Sequence, residues 1–191
     1  MFLANDSRVS VLRAKMTGEA MRLLMALLTI LFTGSLVVPL VAEEHNDTRT
    51  LRVFIFAGQS NMVGSDSKVK DIKRFPPFAG LETPQEHVKF SYNIGRKNKL
   101  QSNGWVNLQP VNAVVGPELS FARTVTKAIK APIAIIKCAA GGTHLGGDWN
   151  PDEPSGFKMY PLALDLVKNS LADLDKRKIR YRIEGFMWHQ G

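Results

Sequence analysis

The sequence predicts an α/β fold in which a parallel sheet carries helices on both faces. Three segments of strand-forming apolar residues occur, "LRVFIFA", "PIAIIKCAA" and "RYRIEGFMW", and an amphipathic, helix-like segment precedes both the second and the third. Strands that are apolar on both faces and alternate with helices are typical of parallel sheets covered on both sides. Functional residues of such folds lie at the carboxyl ends of the strands, so the turns after these segments form the candidate site.

The beginning of the chain is expected to lie outside this fold. Residues 1–20 form an upstream leader, and the segment 21–42 begins at a Met, continues with one Arg and a long apolar run, and ends at a small alanine before two acids. This pattern predicts a secretory signal peptide over 21–42. We therefore expect residues 43–191 to be exported to the periplasm, the cell envelope or the medium, with a membrane contact only if the leader is uncleaved.

The first strand is predicted over Leu51–Ala57, and the long segment that follows it is expected to be rich in loops. Ser65–Val115 contains many Pro, Gly, Asn and Lys residues and only short apolar pieces such as "HVKFSY". Loops of this length inside a compact domain usually line a functional site. We therefore expect this segment to shape the specificity of the site.

Regular structure is predicted to resume at Gly116. A helix is expected over Gly116–Ala131, where a proline fits the first turn and apolar residues recur on one face. It leads to a second buried strand, Pro132–Ala140, and to a second amphipathic helix, Tyr160–Arg177. The third strand follows over Arg180–Trp188, so the order is strand, helix, strand, helix, strand.

Composition limits the classes of function. The chain has 191 residues, and its 45% hydrophobic and 22% charged residues are the ordinary composition of a soluble globular protein. The formal net charge is +8, but acids lie among the basic residues, and no nucleic-acid-binding motif accompanies the densest basic run, Asp175–Arg182. We expect no nucleic-acid partner. The single cysteine, Cys138, excludes an internal disulfide and predicts a packed thiol.

The turn after the first strand contains the serine that decides the chemistry. Gly58, Gln59, Ser60 and Asn61 lack both the Gly-Lys-Ser/Thr ending of a phosphate-binding loop and the glycine spacing of a dinucleotide site. They match the nucleophile elbow Gly-x-Ser-x-Gly in part, with Met62 in place of the second glycine. Ser60 is either a nucleophile at the strand end or a cap of the following helix, and the spacing alone leaves both interpretations open.

Four blocks taken together carry a family resemblance. "FAGQSNM", "VGPELSFA", "GGT" and "WHQG", in this order, closely resemble the SGNH hydrolases of the sialate O-acetylesterase and acetylxylan esterase branch, over Leu51 to Gly191. The resemblance implies a flavodoxin-like three-layer sandwich and a serine esterase that hydrolyses O-acetyl esters on carbohydrates through an acetyl-serine intermediate. It implies an acetylated carbohydrate as the partner and no cofactor. No His-x-x-x-His or carboxylate cluster for a metal occurs in the sequence.

The resemblance also implies roles for single residues. Ser60 matches the nucleophile, and the oxyanion hole would be formed by the amides of Ser60 and Gly116 and by the side chain of Gln190. Such donors stabilise the tetrahedral intermediate of ester cleavage. Without the family, Gly116 would be interpreted as a glycine that starts a helix and Gln190 as a surface amide.

Further residues of the same blocks are expected to line the substrate pocket. They are Gln59, Asn61, Thr143, His144, Trp149 and His189. Thr143 and the glycines before it match the third block and are expected to shape the pocket floor. Trp149 either stacks on a sugar ring or packs in the interior. His189 is expected to line the pocket rather than to act as the general base.

The sequence departs from the family pattern after the fourth block. In the family this block continues with a Glu, and an Asp-x-x-His further along the chain supplies the base and its orienting carboxylate. Residues 1–191 contain no counterpart, so we expect 43–191 to be the N-terminal part of an esterase domain, truncated at the C-terminus. Triad members act as a unit, so the alternative is a catalytically inactive, truncated remnant that still binds carbohydrate.

Overall fold

The structure is a computed structural model that describes residues 48–96 and 100–190. The predicted leader over 1–20 and the predicted signal peptide over 21–42 lie outside the described residues. Within the described part of the chain, no helix has the length and the apolar character needed to cross a membrane.

The described residues form six strands and three α-helices in an order that contains the predicted one. The strands are β1 (Leu51–Gly58), β2 (Gln85–Ile94), β3 (Leu100–Gln101), β4 (Val106–Leu108), β5 (Ile133–Ala139) and β6 (Tyr181–His189). The helices are α1 (Ser60–Val63), α2 (Pro117–Ala128) and α3 (Met159–Lys176), and two short 3₁₀ turns cover Val69–Arg74 and Pro76–Phe78.

The sheet confirms the α/β prediction. The strand order is β3-β2-β5-β1-β6, and β4 also pairs with β2, at residues that precede those paired with β3. The strands β2, β5, β1 and β6 run parallel, whereas β3 and β4 are antiparallel to β2. The three strands predicted from the sequence therefore lie in the order second, first, third, which is how a flavodoxin-like sheet begins.

Helices cover opposite faces of this sheet, as successive residues of β5 demonstrate. Ile133 and Ile135 pack in a cluster with Leu119 of α2, whereas Ala134 and Ile136 pack in another cluster with residues of α3. Because neighbouring side chains of a strand point to opposite faces, α2 and α3 lie on different sides of the sheet. The result is a three-layer arrangement of helix, sheet and helix.

The segment Ser65–Val115 contains more regular structure than its composition suggested. The ten-residue strand β2 lies within it and pairs in parallel with β5, from Val88 opposite Ile133 onward. Polar residues at buried positions made the strand hard to predict. Ser91 is buried, and its hydroxyl compensates for the lost hydration through a 2.8 Å hydrogen bond with the hydroxyl of Ser170 on α3. The expectation of a mainly loop-like excursion was wrong for this part of the segment.

Candidate active site

The topology creates a crevice at the carboxyl end of β1. From β1 the chain first forms β2 and then passes through α2 to β5, both on one side of β1, and it returns through α3 to β6 on the other side. In open α/β sheets, ligands bind where neighbouring connections leave in opposite directions. The turns after β1, β5 and β6 all reach this crevice.

The turn after β1 places Ser60 at the crevice. The Gln59 amide donates to the carbonyl oxygen of His189 over 3.0 Å, which fixes the turn to the end of β6. Gly58 has a φ of +154°, and a methyl group there would overlap that same carbonyl. Ser60 is the first residue of α1, whose N-cap is Gln59, and no side chain caps the helix. Capping is therefore not the role that the structure gives Ser60.

The turn after β5 lies directly beside the serine. A methyl group on Gly141 would lie 3.6 Å from the Cβ atom of Ser60, an ordinary van der Waals distance. The next residue but one, Thr143, is buried, and its hydroxyl donates to the carbonyl oxygen of Ala140 over 2.9 Å. The glycine turn therefore forms one wall next to Ser60, and Thr143 holds that wall to the end of β5.

Gly116 lies against the end of the serine helix. It is the N-cap of α2, with φ −81° and ψ 166°, and it is buried. A methyl group on Gly64, the C-cap of α1, would lie 2.8 Å from the Cα atom of Gly116. Because Gly64 also has a φ of +83°, only glycine fits there without strain. Because neither Gly64 nor Gly116 has a side chain, the end of α1 can approach the start of α2 closely.

Gln190 follows β6 and faces the glycine turn. Its Nε2 donates to the carbonyl oxygen of Thr143 over 2.7 Å, and its Oε1 is buried with no hydrogen-bond partner among the described residues. A side-chain amide has two N–H donors, so one remains after the bond to Thr143. Gln190 is half-buried in a specific setting, which argues against a freely solvated surface amide.

Trp149 supports this wall from behind. Its side chain is only 7% exposed, its Nε1 donates to the hydroxyl of Thr143 over 3.2 Å, and its ring meets that of Trp188 edge to face at 4.8 Å. Little of the ring is open to a ligand. This geometry favours the packing interpretation of Trp149 over stacking on a sugar.

Charged groups lie at the rim beyond the glycine turn. His144 is exposed, and its backbone amide donates to Asp148 Oδ2 over 2.8 Å. Arg96, after β2, donates to the carbonyl oxygen of Gly142 and lies 3.9 Å from Asp148 Oδ2. A guanidinium at this rim is a donor that a polar ligand could reach.

An adjoining cavity of about 410 Å³ opens beside the turn after β1. Asn61, Gly116 and His189 line one part of it, and the half-exposed rings of Phe75 and Phe78 line another. A concave, largely apolar space with a few polar groups is the usual form of a small-molecule site. Asn61 and His189, which the sequence predicts to line a substrate pocket, both line this cavity.

The structure brings most of the predicted site residues to one edge of the sheet. Those at the crevice or its cavity are Gln59, Ser60, Asn61, Gly116, Thr143, His189 and Gln190. His144 lies at the exposed rim and Trp149 beneath the surface. Among the described residues, no group of three or more His, Cys, Asp or Glu side chains could hold a metal ion.

Two buried charged residues behind the crevice were not predicted. Lys137 on β5 pairs with Glu118 on α2, and both side chains are almost fully buried. A lysine inside the otherwise apolar segment "PIAIIKCAA" was a usable signal, because a charge in a buried strand needs a partner.

A family model matches residues 50–191 of the chain. The family is described as "Carbohydrate esterase, sialic acid-specific acetylesterase". A comparison with curated protein sequences finds no match.

Two solved structures are similar to parts of the chain. One is a protein from Arabidopsis thaliana, 22% identical, with a TM-score of 0.49 over 73% of this chain and 57% of that one. The other is described as a carbohydrate acetylesterase from Xanthomonas citri, 16% identical, with a TM-score of 0.40 over 73% of this chain and 32% of that one. The present chain thus spans a little over half the length of the first protein and about a third of the second.

Proposed function

Because the chain belongs to the carbohydrate esterase family of sialic acid-specific acetylesterases, we propose that it is a serine esterase that removes O-acetyl groups from carbohydrates. The observation that carries the proposal is the meeting of Ser60, Gly116 and Gln190 at one crevice of the sheet. Ser60 follows β1, Gly116 touches the end of the serine helix, and Gln190 is held by the turn beside Ser60.

The first half of the proposed reaction forms an acetyl-enzyme. The Ser60 hydroxyl attacks the acetyl carbonyl carbon and loses its proton to a general base, while the carbonyl oxygen becomes an oxyanion. The amides of Ser60 and Gly116 and the free N–H of Gln190 are the donors proposed for this oxyanion. Each such donor is worth about 2.7–4 kcal/mol in the transition state. The sugar hydroxyl then leaves with a proton.

The second half releases acetate. Water attacks the acetyl group on Ser60, the same donors stabilise the second tetrahedral intermediate, and the Ser60 hydroxyl is regenerated. A base is needed in both halves, and no Asp-x-x-His occurs between residues 1 and 191. We assign the base to none of the three described histidines. His87 lies near the start of β2, at the end opposite to the crevice, His144 is exposed at the rim, and His189 lines the adjoining cavity.

The surroundings of the serine suit a sugar substrate. The cavity beside the turn presents the half-exposed rings of Phe75 and Phe78, which are flat apolar surfaces, next to polar groups such as Asn61 and Ser120. Sugars combine apolar ring faces with hydroxyl groups, so this mixture supports a carbohydrate ligand. Acetylated sialic acid and acetylated xylan are the two substrate types to compare.

The test measures acetate release from both substrates by the wild-type protein and by Ser60→Ala. We expect Ser60→Ala to lower the rate by at least roughly a thousandfold, because the nucleophile is lost. Ser65→Ala is the matched control, because Ser65 lies five positions further on and does not line the cavity. It is expected to keep the wild-type rate.

Two outcomes would contradict the proposal. Unchanged acetate release by Ser60→Ala would exclude Ser60 as the nucleophile. Sugar binding by the wild-type chain without acetate release, and without labelling of Ser60 by a serine-directed fluorophosphonate, would favour a binding protein. In that case the chain would be a catalytically inactive, truncated remnant that still binds carbohydrate.

A further inference from the structure

A buried ion pair lies directly behind the proposed oxyanion site. Lys137 Nζ is 2.5 Å from Glu118 Oε2, and the two side chains are only 1% and 2% exposed. Burial lowers the pKa of Lys137, although Glu118 acts in the opposite direction. A buried pair of this kind is weak evidence for stability, because the loss of hydration offsets much of the attraction. A geometric role is the better explanation for its presence in the core.

The lysine contacts two elements at once. Its Nζ also donates to the carbonyl oxygen of Val63, the last residue of the serine helix α1, over 3.4 Å. Glu118 lies in the first turn of α2, two residues after Gly116. One ammonium on β5 therefore links the helix that begins with Ser60 to the helix whose N-cap is Gly116.

The pair also fills the space behind Gly116. A methyl group on Gly116 would overlap both Lys137 Nζ and the carboxylate of Glu118, and on another side a methyl group on Gly64 would overlap the Cα atom of Gly116. Gly116 is thus enclosed by the ion pair and by the end of α1. Hydrogen bonds have a narrow range of favourable lengths, so they define this position more sharply than apolar contacts alone.

We propose that Lys137 and Glu118 are positioning residues, which hold the Gly116 amide at the distance from Ser60 that an oxyanion requires. This inference rests on the proposed esterase function. Oxyanion donors must lie about 2.7–3.1 Å from the developing charge, so their positions can vary by only a few tenths of an ångström. A displacement of about 1 Å can reduce a rate by roughly a hundredfold.

The test replaces both charges by apolar groups of similar volume. Lys137→Met/Glu118→Leu removes the pair without leaving an unpaired charge, so the free energy of unfolding is expected to stay the same or to rise. We expect kcat for acetate release to fall about 10- to 100-fold while KM is nearly unchanged. If the pair has only a structural role, kcat should instead remain at the wild-type value, because the variant is at least as stable as the wild type.

Arg52→Met/Glu184→Leu is the matched control. Arg52 and Glu184 form another ion pair, also at 2.5 Å, between β1 and β6. Arg52 lies near the start of β1, at the opposite end of the strand from Ser60. Removal of this pair is expected to leave kcat unchanged.

A second measurement keeps this inference separate from the proposed function. In ¹H–¹⁵N spectra, the amide signals of Gly116 and Ser60 should shift in Lys137→Met/Glu118→Leu and should not shift in the Arg52 control. If the wild-type chain releases no acetate, the proposed function fails for this chain, whereas these signals still test the positioning role. Unshifted signals in the Lys137 variant would overturn the inference, as would an unchanged kcat.

Glu118→Gln and Glu118→Ala supply the test if the double variant does not fold. The glutamine keeps an oxygen acceptor opposite Lys137, so its Gly116 signal should stay close to that of the wild type, whereas the alanine should shift it. Equal displacement of the Gly116 signal in both variants would overturn the inference. Displacement in the alanine variant alone would support it.

Discussion

The side-chain Nε2 of Gln190 donates to the carbonyl oxygen of Thr143 over 2.7 Å, and this bond joins the end of β6 to the glycine turn after β5. It holds the Gln190 amide beside the turn that contacts Ser60, and it leaves one N–H of the amide for a ligand. The two residues are 47 positions apart in the sequence, yet together they define one side of the crevice.

The first prediction concerns this amide. Gln190→Ala should lower kcat for acetate release by about 10²–10³-fold, because an oxyanion donor is lost, and KM should change much less. The control is Gln109→Ala, since Gln109 is an exposed glutamine after β4. An unchanged kcat in Gln190→Ala would remove Gln190 from the proposed oxyanion hole.

The second prediction concerns the contact between Gly64 and Gly116. In Gly64→Ala, the added Cβ atom would lie 2.7 Å from the carbonyl oxygen of Val115 and 2.8 Å from the Cα atom of Gly116. Gly80→Ala is the matched control, because Gly80 also has a positive φ, +89°, but no atom within 4 Å of the added methyl group.

Both variants carry the backbone strain of a positive φ, about 1–2 kcal/mol. Gly64→Ala should lose about 1–3 kcal/mol more in the free energy of unfolding, because backbone atoms must move, and it should also lose acetate release. Chemical denaturation of the two variants measures the difference. Equal stabilities would mean that the close approach to Gly116 does not constrain this junction.

The third prediction concerns pH and Glu184. Hydrogen bonds from Arg182 and Arg52 lower the pKa of Glu184 below its ordinary value of 4.5, although partial burial opposes them. A carboxylate whose folded-state pKa is lowered stabilises the fold above its unfolded pKa, and the contribution is lost as the pH falls through the folded-state pKa. Glu184→Gln should therefore be less stable than the wild type at neutral pH.

The difference in unfolding free energy should disappear in acid, where Glu184 is protonated in both folded and unfolded chains. Glu86→Gln, at an exposed glutamate of β2, is the charge-matched control and should change stability by less than about 0.5 kcal/mol at any of these pH values. A stability difference for Glu184→Gln that does not vary with pH would contradict the assignment.

The fourth prediction concerns Cys138, the single cysteine of the sequence. Burial raises the pKa of its thiol from 9.0 to about 12. Because the thiolate is the reactive form, iodoacetamide should label the native protein very slowly at mildly alkaline pH and should label the denatured protein rapidly. Equal labelling rates in the two states would show that the thiol is accessible.

The same raised pKa affects stability in strong base. Between pH 9.0 and about 12 the unfolded chain loses the thiol proton while the folded chain retains it. The contribution of Cys138 is therefore constant below this window and destabilises the fold increasingly as the pH rises through it. Comparison with Cys138→Ala across the window should isolate this contribution.

Local patterns in the sequence were sufficient for the main elements. The helix predicted over Gly116–Ala131 is observed over Pro117–Ala128, and the strand predicted over Arg180–Trp188 is observed over Tyr181–His189. Apolar periodicity and a proline in the first turn act over a few neighbouring residues, so they are readable without a structure. The strand β2 could not be predicted from the sequence, because the burial of its polar residue Ser91 depends on a hydrogen-bond partner on a distant helix.

The sequence by itself determined the family blocks, the serine turn and the alternation of strands with helices, since these depend on residues that are close together in the chain. Only the tertiary structure decided that Gly116 is enclosed by Gly64 and the Lys137–Glu118 pair. The physical reason is that pairing of parallel strands and burial of a charge join residues through space. The alternation of side chains along a strand predicts which residues share a face of the sheet, but it does not predict which distant residues they contact.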